Sequence, residues 1–430
     1  MLLARYYKLN QIPGGRPAGG EGLVLLHNWV DPRSFKAGGK YHDSYFGELT
    51  RYLRNKEERV IIVPYILSTV SYRQTLKRMT QSKESFLVPQ AFLNIHDIFR
   101  LALKHTLNIP KKRAYPSFEG FKISKIIMDD VRKDWRELRV ASQLLFHDIV
   151  RHWREAGIPI DRFIYTYENH VWEKAYCIAL KESYPSTKII GYQHSTVRKM
   201  LLNYFFSKVE LPLLPFPDKV ITNGKYPERL FKESGYDPRK VVCGGAIRYV
   251  SLLNKGKKPP IKKAVSSPVI LVTPLVKNES IELVWKVLEA FGQMNKYKIL
   301  LKFHPDCPYR HVAKGLGTLP EHFIVSDKPL SELLRESRVL LYTSSTTCIE
   351  ALSLGVPVLH IESDFMVDLD PLDFRPDVSH SARSKDDILK TVEEILAKDQ
   401  RELSERRIAW KAVVSEIFGP VDESVFDLFL

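Results

Sequence analysis

The chain has 430 residues, 44% hydrophobic and 27% charged, and its 65 Lys and Arg against 50 Asp and Glu give a formal net charge of +15. That length and mix call for two or three folded domains and exclude collagen-like, low-complexity and wholly disordered classes. The apolar runs around 60–63 and 269–272 fall far short of the roughly 18 residues that span a bilayer, so no transmembrane helix is expected.

Residues 1–20 carry Gln11, Pro13, Gly14 and Gly15 where a secretory signal has an apolar core, which points to the cytoplasm. The first β-rich run is 22–27, followed by an amphipathic helix over 45–55 and a second run at 59–64. Residues 75–155 read as mostly helical and rich in Arg, Lys and aromatics, an insertion in the first half or a layer over its sheet. Strand, helix and strand return at 163–167, 171–183 and 188–193.

From 219 the alternation is nearly regular, with strands at 219–222, 268–273, 297–303, 323–325, 338–342 and 356–361, and helices at 280–294, 330–336, 346–354 and 386–397. Buried strand runs alternating with amphipathic helices imply α/β halves, each a parallel sheet covered on both faces, with ligand groups at the strand carboxyl ends and a cleft between the halves. The expected division is 1–215, 216–402 and a last helix, within 403–430, that crosses back to the first half. The four cysteines form no Cys-x-x-Cys pair, which argues against a disulfide framework or structural zinc.

Chemistry-bearing residues gather at predicted strand ends. Lys302, His304 and Pro305 follow the 297–303 strand, where a His can donate to a phosphate oxygen; a strand-capping His is the plain alternative. Thr343, Ser344, Ser345, Thr346 and Thr347 lead into a helix, and hydroxyls beside free helix N–H groups suit an anion, whereas ordinary capping needs one. Glu350, one turn on, can accept from ribose hydroxyls or stand solvated.

Here the sequence resembles the C-terminal half of GT-B glycosyltransferases, through His304-Pro305, Ser344-Ser345 and the Glu-Ala-x-x-x-Gly-x-Pro run from Glu350 to Pro357. Among these it is most similar to bacterial sialyltransferases, polysialyltransferases and Kdo transferases of capsule and lipopolysaccharide synthesis, and more loosely to CDP-glycerol glycerophosphotransferases. The resemblance implies two Rossmann-like domains facing across a cleft, with a helical insertion in the first. It also implies a CMP-linked nonulosonic or ulosonic acid as donor, a surface glycan or lipid-linked acceptor, and His304, Ser344 and Ser345 on the donor phosphate. Similar motifs in UDP-sugar enzymes leave the base open. The rival readings are a CDP-polyol phosphotransferase, a UDP-sugar transferase or epimerase, and a non-catalytic nucleotide-binding protein.

In the first half, Glu168, Asn169 and His170, with Gln193 and His194, lie at ends of predicted strands; Glu168 or His194 can serve as general base on the acceptor side. Glu168 is the nearest match to the strand-end acid of sialyltransferase-like enzymes, and His194 resembles the His of a Trp-His-Gly motif with Ser195 in place of the glycine. Gly38, Gly39 and Asp43 follow the first strand, and Asp43 either binds acceptor or caps a helix near Tyr45. Arg248, after Gly244 and Gly245, can pair with a donor phosphate or carboxylate. Asp368, Asp370 and Asp373 form the one acidic cluster reminiscent of a metal site, and neither metal nor other cofactor is expected. The lysines at 255, 257, 258, 262 and 263 form a linker or a patch for an anionic membrane surface, so a peripheral membrane location is open. No RNA-recognition motif, zinc finger or long basic helix is present, and nucleic acid is not expected as a partner.

Overall fold

The computed structural model describes residues 22–31, 33–36, 39–67, 70–111, 113–115, 117–207, 209–253 and 267–430. The lysines at 255–263 and Gly38 lie outside the described residues.

In chain order the structure has β1 (Leu23–Val30), α1 (Leu49–Asn55), β2 (Val60–Ile66), α2 (Tyr72–Gln81), α3 (Ile95–Leu107), α4 (Ser124–Arg136), α5 (Arg139–Gln143) and α6 (Leu145–Glu155). There follow β3 (Ile160–Thr166), α7 (Val171–Ser183), β4 (Lys188–Gln193), β5 (Lys219–Thr222), α8 (Lys225–Glu233), β6 (Val241–Cys243) and α9 (Val250–Leu253). Next come β7 (Val269–Val272), α10 (Lys277–Phe291), β8 (Lys298–Leu301), α11 (Ala313–Leu316), β9 (Phe323–Val325), α12 (Leu330–Glu336), β10 (Val339–Tyr342), α13 (Thr347–Ser353) and β11 (Val358–Ile361). The chain closes with β12 (His380–Ala382), α14 (Lys385–Ala397), α15 (Gln400–Ile417) and α16 (Glu423–Asp427).

The strands form two six-stranded sheets, ordered β2-β1-β3-β4-β5-β6 and β12-β11-β10-β7-β8-β9. Every neighbouring pair of the second sheet is parallel, as are β2–β1, β1–β3 and β3–β4 of the first. Such strands are buried on both faces: β7, β10 and β11 are buried along their whole length, and only His360 in β11 interrupts their apolar runs. Two core clusters flank the second sheet, one with α13 and α15 and the other with α10 and α14. In the first unit, His27 of β1 is fully buried, stacks on Trp172 at 4.6 Å, and has neither ring nitrogen hydrogen-bonded. Burial pushes its pKa down to about 3, so it packs as a neutral aromatic and fixes the start of α7.

Two expectations change. The 219–222 strand belongs to the first sheet, where Asp218 N–H donates to Ile189 O at 2.8 Å and the Asp218 carboxylate accepts from Ile189 N–H at 2.9 Å. A four-residue apolar run announces a strand but not its neighbour. The division is also interleaved: one compact unit holds residues 1–193, 207–221 and 426–430, the other 194–206 and 222–425. The last long helix, α15, stays with the second unit, starting from an Asp399–Glu402 capping box and packing on α13 and α8. Only the final residues join the first unit, where Arg162 donates to Phe429 O at 3.3 Å and Lys219 to Leu428 O at 3.0 Å. The three-residue strands β6 and β12 went unseen; β12, His-Ser-Ala, carries no apolar run to announce it.

Within the second unit the chain after α15 is clamped by two glycines. A Cβ on Gly224 would stand 2.6 Å from the carbonyl oxygens of Glu416 and Ile417, and one on Gly245, at φ +91°, would stand 2.3 Å from Pro420 O. Gly245→Ala should therefore cost about 1–3 kcal/mol of stability from overpacking and strain. A urea midpoint equal to that of the parent would show that the C-terminal strap yields instead.

Candidate functional site

Read from β9 inward, the second sheet runs third, second, first, fourth, fifth and sixth of its own strands in chain order, and the order reverses between β7 and β10. In open α/β sheets a ligand binds outside the carboxyl ends of the strands at that reversal. There the hydroxyls of Thr273, after β7, and Thr347, at the start of α13, meet at 2.7 Å. The Ser345 hydroxyl accepts from the Thr347 hydroxyl at 3.0 Å. Thr346 holds the N-cap position of α13 but its side chain makes no capping bond.

Ser344, 4% exposed, donates its hydroxyl to the carboxylate of Glu279 in the first turn of α10. Glu279 is itself buried, which pushes its pKa up against the Ser344 hydrogen bonds that favour the charged form. Its second oxygen, and the hydroxyl of neighbouring Ser280, are buried without hydrogen-bond partners. Two orphaned polar atoms at a switch point leave capacity for a polar ligand or a water.

Arg198 completes the cluster. Its guanidinium is within electrostatic reach of Glu279, Cys348, Tyr204 and Asp370, and burial lowers its pKa below the ordinary value. Its Nε is buried and unbonded, and no ion pair ties its guanidinium among the described residues. A guanidinium stays protonated even so, and with its buried Nε unbonded and the Glu279 and Asp370 carboxylates in reach but not ion-paired to it, this position has a donor left for a negatively charged ligand.

The other residues expected at the donor side are spread over the same sheet edge. Lys302 directly follows β8 and donates its N–H to Val272 O at 2.9 Å. His304 is half-buried, with Nδ1 accepting from Asp306 N–H at 3.2 Å, and Pro305 beside it is exposed. Glu350 sits half-buried in the first turn of α13. Arg248 lies in a short 3-10 turn with its guanidinium 5.5 Å from the Tyr249 ring. Buried Asp370 accepts from Tyr342 OH at 2.8 Å, and its N–H donates to Asp368 at 2.9 Å. Among the described residues no group of three or more His, Cys, Asp or Glu could hold a metal ion.

The first sheet reverses its order between β1 and β3. After β3, Asn169 adopts φ +59° and its N–H donates to the Glu173 carboxylate at 2.7 Å; Glu168 N–H donates to the same carboxylate at 3.1 Å. Burial first, then the Glu168 charge, holds the Glu173 pKa well above the usual range. This knot presents the half-buried Glu168 carboxylate to His170 Nε2 at 2.8 Å. Gln193 ends β4 as a buried residue, and buried His194 is the first residue of the second unit. Gly39 takes φ +77°, and buried Asp43 accepts from Tyr45 N–H at 2.9 Å, Phe46 N–H at 2.8 Å and Asn28 at 2.8 Å, the bonds of a local cap.

No family model and no curated protein matches the chain. Solved structures do. A glycosyltransferase of kitacinnamycin is 13% identical, covering 95% of this chain and 98% of its own, with a TM-score of 0.53. The glycosyltransferase SnogD from Streptomyces nogalater is likewise 13% identical over 95% and 98%, at 0.51. A UDP-GlcNAc 2-epimerase from Neisseria meningitidis, bound to UDP-GlcNAc, is 13% identical over 94% and 97%, at 0.50. These likenesses, with the two six-stranded parallel sheets, decide the fold. The chain has the GT-B fold.

Within this GT-B chain, sequence reading missed Arg198, Glu279 and Glu173. Arg198 comes four residues after His194 and was passed over once the strand-end group had been named, and Glu279 sat one residue ahead of the expected helix start. The signal available for Glu279 was its place just after the first strand of the second sheet, where ligand groups collect.

Asp43 provides a pH test. Burial outweighs its hydrogen bonds and pushes its pKa up to about 6 from 3.8. Below pH 3.8 the carboxyl is protonated folded or unfolded, whereas between 3.8 and 6 only the unfolded chain ionises, so stability from this group is lost as pH rises through that window. The loss reaches about 3 kcal/mol at neutral pH. Asp43→Asn should thus gain stability relative to the parent between pH 4 and 6 and keep a constant difference above it. Urea melts at pH 4, 5, 6 and 7 would read this, and a difference independent of pH would mean an ordinary carboxylate.

Proposed function

We propose that this GT-B chain is a nucleotide-sugar-dependent glycosyltransferase whose second unit binds a pyrimidine nucleotide donor. The observation that carries the reading is Arg198, half-buried with its Nε buried and unbonded and with no direct ion pair among the described residues, set in electrostatic reach of the α10 and α13 starts at a switch point. A donor phosphate accepts the hydrogen bond that the Arg198 Nε has left over. His304 takes the role of stabilising charge on the leaving phosphate, and Lys302, Ser345, Thr346, Glu350 and Arg248 bind the remainder of the donor. Transfer to a hydroxyl requires removal of its proton, and the Glu168–His170 pair of the first unit is the proposed base, with His194 as the alternative.

The motifs His304-Pro305 and Ser344-Ser345 favour a CMP-linked nonulosonic or ulosonic acid and a glycan or lipid-linked acceptor. The solved Neisseria meningitidis epimerase, bound to UDP-GlcNAc, favours a UDP-sugar instead. Thermal shift against CMP, CDP, UDP and GDP separates them, since a ligand at 100 times its Kd adds about 2.7 kcal/mol. A pyrimidine nucleotide should stabilise the protein more than GDP does. If none shifts the melting temperature, the nucleotide reading fails.

Arg198→Ala should weaken that nucleotide by about 10- to 100-fold, the equivalent of hydrogen bonds to a charged group. Glu168→Gln should leave nucleotide affinity near the parent's while lowering transfer about 10² to 10⁴-fold. Single-turnover assays with near-normal transfer by Glu168→Gln would move the base to His194. His304→Ala should lower kcat by about 10² to 10³-fold.

A further inference from the structure

Helix α3 is amphipathic in the wrong sense for a soluble helical layer. Its single buried residue is Asp97, which sits 2% exposed and pairs with Arg100 at 3.1 Å, Arg151 at 3.3 Å and His152 at 2.9 Å. Arg100 also pairs with Asp148 of α6. The polar side of α3 therefore docks through ions, and its apolar stripe is turned outward: Ile95, Ile98, Phe99, Leu103 and Leu107 are 65%, 41%, 69%, 50% and 75% exposed. The segment that follows continues the display with Phe118, Phe121 and Ile126, each at least 64% exposed. A contiguous exposed stripe of large apolar side chains marks a surface that is covered in use.

Charge decides what covers it. Residues 95–144 carry eleven Lys and Arg against six Asp and Glu, a net +5. Lys104, Lys111, Arg113, Lys122 and Lys125 are exposed among the apolar side chains. A second copy meeting this face about a twofold axis would bring cation against cation. An anionic phospholipid surface takes both features at once, the aromatic and aliphatic side chains in the acyl boundary and the cations among the headgroups.

We propose that α3 and the segment through Ile126 form a monotopic docking surface for an anionic bilayer. The side chains named for this surface are all described residues, separate from the lysines at 255–263, and the proposal stands whether or not the glycosyltransferase reading does.

The test is co-flotation of the full chain with vesicles of phosphatidylcholine alone or with 30% phosphatidylglycerol. The parent should partition onto the anionic vesicles about ten-fold more than onto the neutral ones, and lose that preference at high salt. The triple variant Phe99→Ser, Leu103→Ser, Leu107→Ser changes exposed positions alone, so its melting temperature should match the parent's while its vesicle binding falls about ten-fold. Lys122→Glu with Lys125→Glu should weaken anionic binding while sparing the melting temperature. Undiminished binding by the triple variant, no binding by the parent, or a dimer in light scattering that the triple variant dissolves would each overturn the proposal.

Discussion

The constraint on which the molecule rests is that a parallel sheet must be covered on both faces. Strands such as β7, β10 and β11 have no solvent side, so nearly all of their residues are spent on packing, and the polar ones, Tyr342 and His360, lie at or next to the carboxyl end. Polar function is thereby pushed to the strand ends. Among those ends, the reversal in strand order opens space because the helices on either side leave in opposite directions. Thr273, Thr347, Ser344 and Glu279 of the second unit collect at one such reversal, and Glu168, Asn169 and His170 follow β3 at the other.

Burial then sets the electrostatics at these ends. Glu173 and Glu279 both sit in first turns of helices, where the dipole favours a carboxylate, yet burial raises both. Glu173 answers with backbone N–H bonds from Glu168 and Asn169, and so shapes the loop that presents Glu168. Glu279 is satisfied on one oxygen only. With Arg198 near it and unpaired, the second unit holds a cation and an incomplete hydrogen-bond set together, which is a poor way to stabilise a fold and a suitable way to hold an anionic polar ligand.

The helical layer of the first unit follows a different logic. A helix usually hides its apolar stripe, but α3 hides Asp97 and the ion pairs around it. Beneath it lies a cavity of about 850 Å³, lined by residues such as Leu101, Val131, Trp135, Leu144 and Ile178 and by none of the residues expected to carry the chemistry. The sheet side of this unit is packed through His27, Trp172 and Tyr176.

The sequence by itself determined the alternation of strand and helix, the long helical insertion and the strand-end positions of His304, Ser344, Ser345 and Glu168, because apolar runs and their periods are local properties of the chain. It could not assign the 219–222 strand to a sheet or show that residues 426–430 rejoin the first unit, since both depend on partners distant in sequence. Nor could it reveal Arg198 and Glu279, whose meaning lies in what surrounds them: an arginine in a loop and a glutamate at a helix start are ordinary until burial removes their water. The outward turn of α3 was decided in the same way, because the helical period of its apolar residues is the same whichever side faces the protein, and only the ion pairs to α6 choose.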